Sequence, residues 1–272
     1  LSLVGSEMCI RDRAIPDFLG FSDPDVNAGK MSTKGYELNV SWNDHIGDFS
    51  YGIAINFSDF TSKMGDVQGT QFLGDKVKME GSEFNEWYGY VSDGLFLTEE
   101  DLKNSPKIND KNTQLGDIKY KDISGPDGVP DGKISPEYDR VLLGSSLPHF
   151  LYGGNINLGY KNFDLSLAFQ GVGKQNARLA REMVEPFRNN YGNFPAIIDG
   201  NYWSPYNTDE QNAVAKYPRL THVNKSSNYA MSDYWLFNGG YFRLKNITLG
   251  YTFPKEWMNA IGIKGARIYA SA

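Results

Sequence analysis

Two neighbouring runs alternate apolar and polar residues without a break. In "GYELNVSWN", Tyr36, Leu38, Val40 and Trp42 fall on one face, and Glu37, Asn39, Ser41 and Asn43 on the other. In "FSYGIAINFS", Phe49, Tyr51, Ile53, Ile55 and Phe57 alternate with Ser50, Gly52, Ala54, Asn56 and Ser58. A period of two is the mark of an extended chain whose successive side chains point to opposite sides. Each run is about ten residues, long enough for a tilted strand to cross a bilayer and about twice an ordinary globular strand. The chain is therefore expected to fold as β-sheet, with one face apolar from end to end.

The unit recurs. "GGNINLGY" puts Ile156, Leu158 and Tyr160 on one face, "KN" makes a tight turn, and "FDLSLAFQ" sets Phe163, Leu165, Leu167 and Phe169 against polar or small residues. A third unit, "YFRLKNITLGYTFP", passes through an amphipathic turn at "KEWMNAIGIKG" into "ARIYASA". Between the hairpins lie long connections, from Asp59 to about Leu147 and from Gly171 to about Gly239, with a further strand expected in "EWYGYVSDGLF". Compact soluble domains rarely carry structureless loops of that length. Outer-membrane barrels do, with short turns at one end and long loops at the other.

Composition narrows the choice. The 272 residues include 29 Gly, 17 Tyr, 16 Phe and 5 Trp, a strand- and turn-rich signature. A net charge of −6 argues against nucleic acid as a partner. No apolar run reaches the ~18 residues of a membrane helix, and the mean hydropathy is −0.48, which an alternating barrel strand also produces. The opening "LSLVGSEMCIRDR" is too charged for a secretory signal and looks like translated sequencing-adapter read-through. Residues 1–13 are accordingly expected to be non-native, and residues 14–272 to carry the fold. The single cysteine, Cys9, lies in that opening, so 14–272 has no thiol chemistry and no disulfide.

Aromatic residues collect where the strands meet their short turns: Trp42 and Phe49 at the first, Tyr160 and Phe163 at the second, Tyr251 and Phe253 before Pro254. That is where a girdle at a membrane interface belongs. The expected fold class is all-β: a partial transmembrane antiparallel barrel with long extracellular loops. The alternative is a secreted, calcium-stabilised β-sandwich that binds carbohydrate, its strands ending in ordinary core aromatics.

Motifs for catalysis are missing. His45, His149 and His222 are scattered, there is no HExxH or GxSxG, and "GVGK" lacks the rest of a phosphate cradle. Glu99 and Glu100 read as solvated loop residues. For ligand binding the candidates are Tyr202, Trp203, Tyr206, Tyr234 and Trp235, whose rings suit the apolar C–H faces of sugars. "DISGPDGVPDGKISPEYDR" resembles a calcium loop. Placing Asp131 and Gly132 at positions 5 and 6 of an EF-type loop puts the Lys133 carbonyl at 7 and Asp127 at 1. Position 3 is then Val129 and position 12 Tyr138, so the strict pattern fails. Asp122, Asp127, Asp131 and Asp139 with the Lys133 carbonyl remain a candidate calcium set, against a rigid loop of Asx-turns with Arg140 paired to a carboxylate.

Taken in order, "NAGKMSTKGYELNVSWND", "GDFSYGIAINFS", "EWYGYVSDGLF", "GDIKYKDISGPDGVPDGKISPEYDRVLLGSSLPHFLYGGNINLGYKNFDLSLAFQGVGK" and "YFRLKNITLGYTFP" resemble the C-terminal barrel part of SusC/RagA-type TonB-dependent outer-membrane transporters of Bacteroidetes. The resemblance implies a barrel of about 22 strands, of which this chain is an internal portion truncated at both ends, without plug or TonB box. It implies import of oligosaccharides or peptides, a SusD-like lipoprotein as lid, energy from TonB, outer-membrane lipid around the wall, and no covalent chemistry. The family often shows a shorter acidic loop here, of which "GPDGVP" is an expansion. No cofactor is required; calcium is the one candidate.

Overall fold

The computed structural model describes residues 3–12, 25–67, 69–179, 184–187 and 193–272. The chain divides into two compact units, Leu1–Gln68 with Leu147–Gln175 and Asn238–Ala272, and Gly69–Ser146 with Asn176–Phe237.

The first unit is an antiparallel sheet of seven strands: β1 (Leu3–Asp12), β2 (Asp25–Ile46), β3 (Phe49–Met64), β4 (His149–Tyr160), β5 (Phe163–Lys174), β6 (Tyr241–Thr252) and β7 (Arg267–Ser271). Each strand pairs with the next in sequence, which makes an up-and-down meander with β1 and β7 at its edges. The opening residues, set aside in the sequence reading, supply β1, which pairs with β2 from Leu3↔Gly35 to Asp12↔Asp25. The ladder of β2 and β3 extends from Met31↔Met64 to Ile46↔Phe49. Sixteen residues at about 3.3 Å each span roughly 50 Å, well beyond an apolar band about 25 Å tall.

The turns follow from local chemistry. Gly47 and Asp48 alone join β2 to β3, with Gly47 at φ +61°, so the turn is tighter than the expected "DHIGD". Lys161 and Asn162 join β4 to β5, as the sequence predicts, with Lys161 at φ +52°. The expected amphipathic turn after Pro254 is a helix, Lys255–Ala260, that buries Met258.

Register carries the alternation across the sheet. Trp42, Ile53, Ile156, Leu167 and Ile247 form one row. Asn43, Gly52, Asn157, Ser166, Thr248 and Ser271 form another on the opposite face. There Ser166 Oγ donates to Asn157 Oδ1 (2.7 Å) and Thr248 Oγ1 to Asn246 Oδ1 (2.9 Å). The apolar face is exposed: Leu38 is 56%, Trp42 61% and Leu249 52% accessible. A sandwich would bury that face under a second sheet. A sheet whose solvent on that side is lipid leaves it open.

One irregularity lies in β6. Ala168 pairs with Asn246 but Phe169 with Leu244, so Lys245 is skipped. The bulge keeps Phe242 on the side of Phe169, their ring centroids 5.8 Å apart.

The long connections fold together as the second unit. Gln71–Leu73, Lys76–Lys78, Glu86–Tyr90 and Arg140–Gly144 make a four-stranded sheet, and Ser92–Leu95 pairs with Ile118–Tyr120. The segment "EWYGYVSDGLF", expected as one strand, therefore serves two sheets. The unit has its own apolar core of Tyr90, Leu95, Ile118, Tyr120, Ile134, Val184 and Trp235. Burial of that cluster, rather than any alternating pattern, orders these loops.

Candidate functional site

A cleft of about 640 Å³ opens in the second unit, within the size range of small-molecule sites. Four short segments line it: Glu99 and Leu102, Gln114 and Leu115, Tyr202 to Tyr206, and Arg219 with Leu220.

The first wall is the short helix Glu99–Asn104. Thr98 caps it, accepting from the Asp101 N–H at 3.1 Å. Lys119 Nζ holds Asp101 (3.1 Å) and Asp93 (3.0 Å), tying the helix to the strand Ile118–Tyr120 and setting where Glu99 projects. Partial burial pulls the Lys119 ammonium pKa down, but the hydrogen bonds to both carboxylates outweigh it and leave a net upward shift.

The second wall rests on a buried charge. Asp117 is fully buried, and Arg219 Nε and Nη2 donate to its Oδ1 and Oδ2 at 2.6 and 3.1 Å. Asn228 Nδ2 (2.9 Å), Asn224 Nδ2 (2.8 Å) and the Gln114 N–H (2.9 Å) complete its shell. A buried carboxylate is tolerable only with a shell of this kind. It joins the chain around residue 117 to that around residues 219–228, and the Arg219 N–H donates to the Gly116 carbonyl (2.8 Å).

The third wall is aromatic. Trp203 is half-buried and lies directly on Gly116: a Cβ there would stand 2.3 Å from the indole, and its φ of +81° favours glycine as well. Trp203 N donates to the Tyr217 carbonyl at 3.0 Å, fixing the strip beneath the ring. Asn212 Nδ2 donates to the Ser204 carbonyl and its Oδ1 accepts from the Ser204 N–H, both at 3.0 Å. Thr208 and Gln211 form a capping box on the helix Asp209–Ala213. On this braced loop Tyr206 stands 96% exposed.

The five aromatics expected at a ligand thus part company. Tyr202, Trp203 and Tyr206 share the cleft. Trp235 is 6% exposed, stacks on Tyr229 at 5.0 Å and donates from Nε1 to the Asn228 carbonyl at 2.8 Å, so its ring serves the core. Tyr234 packs edge-on to Trp235 at 5.3 Å beside a smaller recess of about 180 Å³, and burial pushes its phenol up to about 12. Glu99, Gln114 and Arg219 join the cleft without any local signal in the sequence.

The carboxylates of the acidic loop, expected as a calcium set, are placed as follows. Asp139, fully buried, accepts from the Ile123 and Ser124 N–H groups on Oδ1 (2.7 and 3.2 Å) and from Ser135 on Oδ2 (2.7 Å). Asp122 accepts from the Gly132 N–H (2.5 Å) and Asp131 from the Lys133 N–H (3.0 Å), while the Asp127 stretch is exposed. Among the described residues no three His, Cys, Asp or Glu side chains are placed to share a metal ion. The carboxylates instead take backbone N–H groups, the Asx-turn arrangement. Arg140 Nε donates to the Pro136 carbonyl (2.7 Å) and its guanidinium lies over Phe72 and Tyr88, with no carboxylate of the described residues paired to it.

On the sheet, Phe49, Tyr160, Phe163 and Tyr251 fall in one row beside the short turns. Phe163 and Tyr251 are 4.7 Å apart, and Phe253 stands edge-on to Tyr251 at 5.3 Å. Trp42 lies two rows away, opposite Ile53, because β2 continues past it to Ile46.

No protein-family model matches the chain. Over 284 residues it is 28% identical to TonB-dependent receptor P3 of Formosa agariphila, covering 98% of this chain and 26% of that protein. It is 24% identical over 258 residues to TonB-dependent receptor SusC of Bacteroides thetaiotaomicron, covering 90% and 23%. The fold matches the RagAB peptide transporter with a TM-score of 0.68 at 17% identity, over 98% of this chain and 28% of that one. The chain thus spans about a quarter of the length of the relatives it matches. An up-and-down sheet with one exposed apolar face and a folded loop unit aligns, nearly throughout, with part of TonB-dependent receptors of the SusC type, and its fold is that of the matching part of RagAB.

Proposed function

We propose that this chain forms part of the wall and external loops of a TonB-dependent transporter of about 22 strands that imports oligosaccharides or other oligomeric nutrients. In this reading a SusD-like lipoprotein closes the outer mouth and TonB supplies energy through a plug carried elsewhere in the protein. Residues 14–272 carry the reading, and it requires no cofactor. The observation that supports it most is the two-faced sheet. Apolar rows meet lipid on one side, while Asn, Ser, Thr and Gly rows line a wet lumen on the other. The row of Phe49, Tyr160, Phe163 and Tyr251, with Phe253, sits at the lipid boundary nearer the short turns. Trp42 lies deeper in the apolar band.

Substrate enters this reading through the cleft of Tyr202, Trp203 and Tyr206, where planar rings and a few polar groups suit an oligomer with apolar faces. Two measurements test it. The full-length protein should migrate faster in unheated than in heated gel samples, as barrels do. A strain lacking it should lose growth on at least one oligomeric nutrient while keeping growth on the monomer. Heat-independent migration with unimpaired growth on every oligomer tried would overturn the proposal.

A further inference from the structure

We infer that the cleft takes a neutral sugar unit and discriminates against anionic ones, because its lining cation is already paired with a buried carboxylate while an exposed carboxylate also lines it. The inference rests on the import reading above and adds the charge class of the substrate. Among the described lining residues Glu99 and Arg219 are the charged ones. A guanidinium that captures a carboxylate or sulfate does so with paired N–H groups along one edge. In Arg219 the Nε and Nη2 edge already faces Asp117, at 2.6 and 3.1 Å, and Nη2 also donates to the Asn112 carbonyl at 3.1 Å. Asp117, fully buried, cancels the cation. Arg219 thus presents the cleft with little net charge.

Glu99 is exposed at the first turn of its helix, and among the described lining residues no second cation compensates it. The remaining surface is Trp203 and Tyr206 with the Gln114 amide, which offers both a donor and an acceptor. A pyranose without a carboxylate or sulfate matches that surface: apolar C–H faces for the rings, hydroxyls for the amide and the carboxylate.

The test uses the full-length transporter in detergent, with calorimetry and tryptophan fluorescence. The probes are neutral hexose oligomers, the same oligomers carrying uronate or sulfate groups, and oligopeptides of similar size. A neutral oligomer is expected to bind. Trp203→Ala should weaken it about tenfold and Trp203→Phe should retain most of the affinity, since the loss is of a stacking face. Glu99→Gln should strengthen the anionic oligomer about fivefold relative to its neutral counterpart, a gain that shrinks with added salt. Equal or tighter binding of the anionic form by the wild-type protein, still sensitive to Trp203, would refute the charge preference and leave the import reading standing. Peptides binding through Trp203 in place of sugars would refute the saccharide assignment. Binding of any class that ignores Trp203 would remove the cleft as a substrate site, and this inference with it.

Discussion

Asp164 on β5 and Arg267 at the start of β7 pair across the intervening β6, passing over Gly250. Arg267 Nε lies 3.1 Å from Asp164 Oδ1 and Nη2 2.5 Å from Oδ2. A Cβ at Gly250 would stand 2.4 Å from the guanidinium and 2.6 Å from the carboxylate. The glycine is therefore a passage, and the pair clips three strands together.

Substituting Gly250→Val should displace the two side-chain ends and break the pair, lowering slightly the temperature at which the full-length protein loses its compact gel band. Asp164→Ala should lower it by a similar small amount, because it removes the same pair between well-exposed partners. A Gly250→Val loss that stays as large on the Asp164→Ala background would mean that the glycine does not serve the pair.

Asp117→Ala should be the most damaging single change in the loop unit. It leaves Arg219 Nε and the Nδ2 groups of Asn224 and Asn228 without the acceptor they share, a loss of about 3–5 kcal/mol for a broken buried pair. Hydrogen exchange should show protection lost around residues 114–120 and 219–228, with the sheet unaffected. Retained protection in those segments would count against the carboxylate as their joint anchor.

The two short turns should respond oppositely to glycine. Lys161 holds a left-handed conformation that costs an L-residue about 1 kcal/mol or more, so Lys161→Gly should be neutral or mildly stabilising. Gly47→Val should destabilise by a similar amount, since Gly47 has the same sign of φ and nothing within 4 Å to blame for a clash. Unfolding of the full-length protein in urea, read by tryptophan fluorescence, separates these outcomes. A harmless Gly47→Val would show that φ is not the constraint.

Alkali should loosen the loop unit. Burial pushes Tyr234 up to about 12 from an ordinary 10.0, and burial raises Tyr120 and Tyr229 further. The folded state then holds protons that the unfolded chain releases near pH 10. The associated stability is whole below that pH and declines as pH rises from 10 through the folded values. Phenolate absorbance of the full-length protein should rise in two stages, the later one accompanied by loss of exchange protection in the loop unit. A single reversible rise near pH 10 would contradict the buried environment.

The sheet was legible from β2 onward because a period of two runs through its strands, so Leu38, Ile53 and Leu167 announce their face one by one. The first turn was misjudged where that signal fades. Asp44 and His45 are polar on both faces, and only the ladder shows β2 reaching Ile46. The loop unit was opaque for a different reason. Nothing near Asp117 in sequence indicates an arginine 102 residues away. Trp203 and Trp235 look alike in sequence, and tertiary packing alone makes one a wall of the cleft and the other part of the core. The acidic loop drew attention by composition, but its carboxylates satisfy backbone N–H groups, a use that composition does not distinguish from ion binding.

The skipped residue in β6 works like a spacer that restores a reading frame. Counting back from Leu249 by twos reaches Ile247 and then Lys245, a cation on the lipid side. With Lys245 set outside the count, Leu244 and Phe242 fall into phase instead. The strand therefore tolerates a one-residue deletion at a single place. Removing Lys245 leaves every apolar side chain on its present side, whereas removing Thr248 would turn the residues on one side of the cut to the wrong solvent.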